Sequence, residues 1–172
     1  MGMNVEEGSK KEVQLVVFSI GDEEFGVEIN QVREIVKLIP ITHMPKAPDF
    51  IEGVINLRGQ ITMVIDLAKR LSIPSKGKSE TTRIIVVEVG DVTVGMVVDS
   101  VTEVLRLATD KIETTPSILQ TEVHEKYLKQ VGKLKDRLLI LLDLSAVLSM
   151  EEVQHIEQHV RNIDTKKEKE GD

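Results

Sequence analysis

Residues 16–36, VVFSIGDEEFGVEINQVREIV, lie on residues 85–105, IVVEVGDVTVGMVVDSVTEVL, without a gap, at an offset of 85 − 16 = 69. Gly21 meets Gly90, Asp22 meets Asp91, Gly26 meets Gly95, Val32 meets Val101 and Glu34 meets Glu103, and most other positions match apolar with apolar. A second register sets Phe50 to Leu71 on Tyr127 to Leu148 at an offset of 77, pairing Val54 with Val131, Leu57 with Leu134, Asp66 with Asp143 and Leu71 with Leu148. Self-similarity held over two segments in the same order marks an internal duplication. The offset grows by 77 − 69 = 8 residues, which fall between Leu105 and Tyr127, so the second copy carries the longer connection.

Each copy opens with a β-rich run, a Gly-Asp turn and a second β-rich run, the pattern of a hairpin. An amphipathic stretch follows, starting near Asn30 in one copy and Asp99 in the other, and a further hairpin closes each copy. In VINLRGQITMVID, residues 54–66, Gly59 supplies the positive φ of a tight turn and leaves Arg58 exposed at the tip. Asp66 and Asp143 precede LAKRL and LSAVL, where a carboxylate oxygen can accept from orphan N–H groups at a helix start. Ser149 and Glu152 form a capping-box pattern, and Val153, Ile156, Val160 and Ile163 recur at helical spacing, which predicts a C-terminal α-helix over 150–164. SKGKSETT, residues 75–82, separates the copies.

Short-stranded units with no room for long crossover helices argue for small closed barrels, because closure removes exposed sheet edges. The expected fold is mainly β: two SH3-like five-stranded barrels from the duplication, packed on a shared hydrophobic core, with the C-terminal helix added. The expected organisation is one domain over 13–164, with units 13–74 and 83–148, and flexible tails at 1–12 and 165–172.

Composition narrows the function. No cysteine is present, which excludes disulfides, thiolate metal sites and a cysteine nucleophile, and fits a reducing, cytoplasmic setting. The start, MGMNVEEGSKKE, lacks the apolar core of a signal peptide, and no apolar run is long enough to span a bilayer. Net charge is −7 and aromatic content 2%, so phosphate neutralisation and base stacking both lack their usual residues, and nucleic acid is not an expected partner.

The polar clusters read as local structure. Asp22, Glu23 and Glu24 sit in a turn where solvated acids are ordinary. The Asp66 and Asp143 pair is accounted for by helix capping. His155 and His159 have a zinc-compatible i, i+4 spacing but no third ligand in view, and His43 and His124 lack a nucleophile to activate. GxGxxG, GxxxxGK[ST] and HExxH are absent, so no reaction centre, metal or cofactor is expected. Arg58 stands apart: a guanidinium at a hairpin tip offers five donors with little local use for them, although solvation at a turn is its plain reading.

Taken in order, GDEEFGVEINQVREIV, FIEGVINLRGQITMVIDL, VGMVVDSVTEVL and LLILLDLSAVL resemble the CheW family of bacterial chemotaxis coupling proteins, over roughly residues 13–164. NLRG after FIEGV together with VVDSV before TEVL is more specific than either motif alone. The resemblance implies a non-catalytic adaptor that couples chemoreceptors to the chemotaxis histidine kinase, with the cytoplasmic tips of methyl-accepting receptors and the kinase's regulatory domain as partners. It implies recruitment to membrane receptor arrays without membrane insertion. At 172 residues the chain has no room for the kinase's other domains or for a fused receiver, so the free-standing adaptor is expected. The scaffold of a non-flagellar chemosensory system, or an unrelated SH3-like binding module, is the alternative. Carried over by position, the receptor-binding surface would include Val32, Glu34, Gly53, Arg58, Val101 and Val104, with Glu34 and Arg58 able to pair. The kinase-binding surface would include Glu113 and Ile118.

Overall fold

The β-branched runs become strands throughout residues 11–114 and 130–170, the part of the chain that the structure, a computed structural model, describes. They are β1 (Glu12–Ile20), β2 (Glu23–Glu28), β3 (Val32–Lys37), β4 (Ile51–Leu57), β5 (Gln60–Asp66), β6 (Arg83–Val89), β7 (Val92–Val98), β8 (Ser100–Ala108), β9 (Ile112–Thr114), β10 (Gln130–Lys133) and β11 (Leu138–Leu141). Among the described residues two α-helices join them, a short α1 (Leu67–Leu71) and α2 (Met150–Glu170). None of the described helices is long and apolar enough to cross a membrane.

The strands form two sheets, ordered β8-β1-β2-β11-β10-β9 and β3-β6-β7-β5-β4. Each contains one parallel pair, β11 with β2 and β5 with β7, at equivalent places in the duplication. The isolated bridge between Thr42 and Val54 repeats, in one sheet, the pairing of Glu113 in β9 with Val131 in β10 in the other. The copies therefore obey one pseudo-twofold plan.

The duplicated unit is not the barrel. Chain 32–98 builds the five-stranded sheet without interruption, the continuous barrel, whereas the six-stranded sheet, the split barrel, takes β1–β2 from the first copy and β8–β11 mainly from the second. Each opening hairpin has crossed to the other copy's strands. Sequence similarity cannot register this exchange, because equivalent hairpins offer equivalent hydrogen bonds to either set of strands.

Alternation along the strands sorts the apolar residues into three cores. In β1, Leu15 and Val17 enter the split barrel with Leu107, Leu139 and Leu141, while Val16, Phe18 and Ile20 face the other barrel. In β6, Ile84 and Val86 enter the continuous barrel with Ile55, Val64 and Val97, while Ile85, Val87 and Val89 join the shared layer. Burial on both faces is why these strands read as unbroken apolar runs. The shared layer is the largest core; Phe18 and Phe25 stack there with ring centroids 5.8 Å apart. Each large side chain fully buried in it contributes about 1.5–3 kcal/mol. The repeated glycine of each second strand makes room inside its barrel: a Cβ at Gly26 would lie 2.8 Å from Leu139 Cδ2, and one at Gly95 2.8 Å from Ile84 Cγ2.

The predicted caps form. Asp66 accepts from Lys69 N (3.2 Å) and Asp143 from Ser145 N (3.1 Å). The capping box closes α2 from both sides, Ser149 N donating to Glu152 Oε1 (2.7 Å) and Glu152 N to Ser149 Oγ (3.1 Å). Ile156 is buried, and Val153, Val160 and Ile163 pack against the shared layer. Arg70 ties α1 to this helix: it donates to both Glu152 oxygens (3.1 and 2.9 Å) and to Val147 O (2.7 Å), and lies over the Phe50 ring. The helix extends beyond residue 164, through a run rich in Lys and Glu; these are good helix formers that need no apolar stripe to continue a helix already nucleated.

Candidate interaction surface

The amphipathic stretches after each opening hairpin are the strands β3 and β8, one at an edge of each sheet, and both carry a bulge at the same place in the repeat. In β3, Val32 faces Val87 and Glu34 faces Val86, leaving Arg33 as the extra residue. In β8, Val101 faces Phe18 and Glu103 faces Val17, leaving Thr102 extra. A bulge resets the side-chain alternation. As a result Val32 and Ile35 both stand beside shared-layer residues, Val87 and Ile85, and Val101 and Val104 beside Phe18 and Val16.

Each edge thus presents an apolar strip in two tiers. Val32 and Val101 are half-buried against the shared core, so part of what they do is packing. Ile35 and Val104 are 37% and 52% exposed and are available to a partner.

Glu34 and Arg58 meet at the mouth of the continuous barrel. Leu57 pairs with Gln60, so the β4–β5 loop has two residues, and both take positive φ, 52° at Arg58 and 87° at Gly59. That is the hairpin turn whose twist matches the strands. The sequence pointed to Gly59 alone; Arg58 also adopts the left-handed conformation, which costs a non-glycine residue about 1 kcal/mol. Asn56 Oδ1 accepts from Gly59 N (2.7 Å) and holds the turn. The guanidinium then lies in bidentate contact with Glu34, Nη1 donating to Oε1 at 2.8 Å and Nη2 to Oε2. The Arg58 hydrogen bonds outweigh desolvation and hold the Glu34 carboxyl below its ordinary range, and Glu34 raises Arg58 in return. Arg58 remains mostly exposed.

The split barrel closes its mouth with different residues. Glu103, the counterpart of Glu34, meets Arg137 (3.4 Å), which also grips both Glu24 oxygens (2.8 and 3.1 Å) and Asp136 (2.8 Å). Arg137 aligns with Gln60; the counterpart of Arg58 is Lys135. Hydrogen bonding to Glu24 is the main reason Arg137 holds its proton more tightly than a free arginine.

Of the residues predicted for receptor binding, the structure brings Glu34 and Arg58 into contact, puts Val32 on the same barrel, and puts Val101 and Val104 on the other. Gly53 is buried at a β-bulge with φ 151°, where a Cβ would lie 2.1 Å from Thr42 O. It shapes the β4 backbone instead of offering a surface. Glu113 is exposed and pairs with Lys133 (2.6 Å), while Ile118 lies outside the described residues. His155 and His159 lie side by side on α2 with ring centroids 4.5 Å apart and planes tilted by 50°, and no group of three metal-ligating side chains occurs among the described residues. Ile35 and Arg137 were not anticipated. The repeat offers a signal for the first, because Ile35 aligns with Val104, but none for the second.

Two barrels sharing a core, with apolar edge strips and charged pairs at the barrel mouths, define a paired-barrel scaffold. The CheW-like domain family matches residues 14–152. The chemotaxis protein CheW of Klebsiella aerogenes is 39% identical over 81% of this chain and 84% of its own, and that of Bacillus subtilis 36% identical over 82% and 90%. The solved scaffolding protein TtCheW of Thermoanaerobacter tengcongensis superposes with a TM-score of 0.75 at 38% identity, over 83% of this chain and 96% of its own. The chain belongs to the CheW-like domain family, and the reading as an unrelated SH3-like module falls away.

Proposed function

We propose that this chemotaxis coupling adaptor works without chemistry of its own, by holding the cytoplasmic tip of a chemoreceptor and the regulatory domain of the chemotaxis histidine kinase at once. The observation that carries the reading is the pair of bulged edge strands. Val32 with Ile35, and Val101 with Val104, give two apolar strips, one at the edge of each sheet, suited to the face of a receptor helix. Glu34 and Arg58 stand at the rim, where exposed charges fix register more than they add affinity. Glu113, on the far edge of the split barrel, belongs to the kinase-facing side of this reading, together with Ile118. A receptor movement then biases the kinase through differing contact energies in two states. No cofactor takes part, and the adaptor is cytoplasmic and joins arrays through its partners.

Calorimetric titration of the full chain with a receptor cytoplasmic tip and the kinase regulatory domain, separately and together, tests this. Simultaneous binding of both is expected; mutual exclusion, or binding of neither folded partner, overturns it. Arg58→Glu is expected to weaken receptor binding about tenfold with an unchanged circular dichroism spectrum. Unchanged affinity removes Arg58 from the site.

A further inference from the structure

The duplication places one α2, but two faces built to receive such a helix. On the continuous barrel, α2 packs across β5 and β7: Ile61 shares a cleft with Glu157, Val160 and Arg161, and Met63 lies with His155, Ile156 and His159. At the 77-residue offset the counterparts on the split barrel are Leu138 and Ile140. Leu138 is 66% exposed, and Ile140 lines a groove of about 470 Å³ with Phe25, Leu71, Ile73 and Pro74.

The chain's course explains why no helix of the described residues lies there. After Leu148 the second copy runs on as α2, whose Val153 Cγ1 would lie 3.9 Å from a Cβ at Gly90. After Leu71, the equivalent residue, the first copy passes the equivalent Gly21, where a Cβ would lie 2.3 Å from Pro74 O. There it turns away, anchored by Asp99, which accepts from Lys76 N (2.9 Å) and Ser75 Oγ (2.6 Å). No helix follows in residues 72–82 to cover Leu138 and Ile140.

We infer that this groove on the split barrel, between the β1–β2 turn, the segment after α1 and β11, docks an amphipathic helix of a partner protein in the way the continuous barrel docks α2. The chemistry of the occupant follows from the differences between the faces. Val92, buried under α2, is replaced by the exposed Glu23, and Thr93 by Glu24. Asp22 and Glu23 stand along the groove, with Lys76 as its cation, 3.7 Å from Asp22. The helix that fits carries an apolar stripe at spacings like those of Val153, Ile156, Val160 and Ile163, flanked by lysine or arginine where α2 has glutamates. The inference does not rest on the receptor and kinase reading, which uses other faces.

The test is an NMR titration of the full chain with a capped synthetic peptide of about four helical turns, with leucines in that stripe and lysines elsewhere, against a scrambled peptide and a glutamate-flanked one. Saturable shifts at Phe25, Ile73, Leu138 and Ile140 with the first peptide only are expected, weakened about tenfold by Leu138→Glu. No saturable shift, equal response to the scrambled or acidic peptide, or shifts centred on Ile35 and Val104 overturns the proposal. So does self-association that displaces the peptide, which would assign the groove to a second copy.

Discussion

The two barrels share a plan and differ in how each is finished. In the continuous barrel the β4–β5 turn is a two-residue loop with Arg58 reaching out, strand β4 bulges at Gly53, and α2 covers the outer face. In the split barrel the equivalent turn sets Lys135 and Asp136 between Leu134 and Arg137, Gln130 takes the place of Gly53, and no helix among the described residues covers the outer face. Duplication conserves what the shared core requires, namely the apolar faces of β1, β6, β2 and β7. It leaves mouths, tips and outer faces free to diverge, because those meet solvent or partners.

The largest difference between the barrels is expected at Gly53. Gly53→Ala forces a Cβ into Thr42 O at a φ that L-residues avoid, and is expected to cost about 3 kcal/mol. Gln130→Ala, at the equivalent place, is expected to change stability by less than about 0.5 kcal/mol. Chemical denaturation of both variants checks this; equal losses would mean that the barrels are built alike there.

Asp99 offers a second asymmetry, since its repeat counterpart is Asn30. Burial alone would raise its carboxyl, but hydrogen bonds from Lys76 N, Ser75 Oγ and Gly21 N outweigh burial and hold it below the ordinary aspartate value. A depressed carboxyl stabilises the fold above its unfolded value of about 3.9, and that contribution is lost as pH falls below it. Asp99→Asn is expected to lower stability at neutral pH and to flatten the decline in stability below about pH 4. Melting curves across that range test it; an undiminished acid slope would assign the sensitivity to other carboxylates.

The smallest effect concerns the mouths. Arg137 joins three carboxylates and is two-thirds buried, whereas Arg58 joins one and is mostly exposed. Arg137→Ala is expected to lower the melting temperature by on the order of 2 °C, and Arg58→Ala to leave it unchanged. The reverse ranking would make Arg58 a structural residue instead of one reserved for a partner.

Much was legible before the fold. The repeat, the caps at Asp66 and Asp143, the capping box, the stripe of α2 and the turn at Gly59 all depend on residues close in sequence, where backbone hydrogen bonding and side-chain periodicity act. The pairing of Glu34 with Arg58 could be named in advance because the family resemblance set both on one surface. Ile35 was passed over because strict alternation would turn it to the other side of β3 from Val32, and only the bulge at Arg33 brings them together.

The strands, their apolar faces and the duplication follow from local periodicity or self-likeness along the chain. Long-range packing decided which hairpin completes which barrel, which arginine closes the split barrel's mouth, and which of two equivalent faces α2 covers. Equivalent segments carry nearly equivalent local preferences, so those choices rest on the path of the connections and on contacts between residues far apart along the chain.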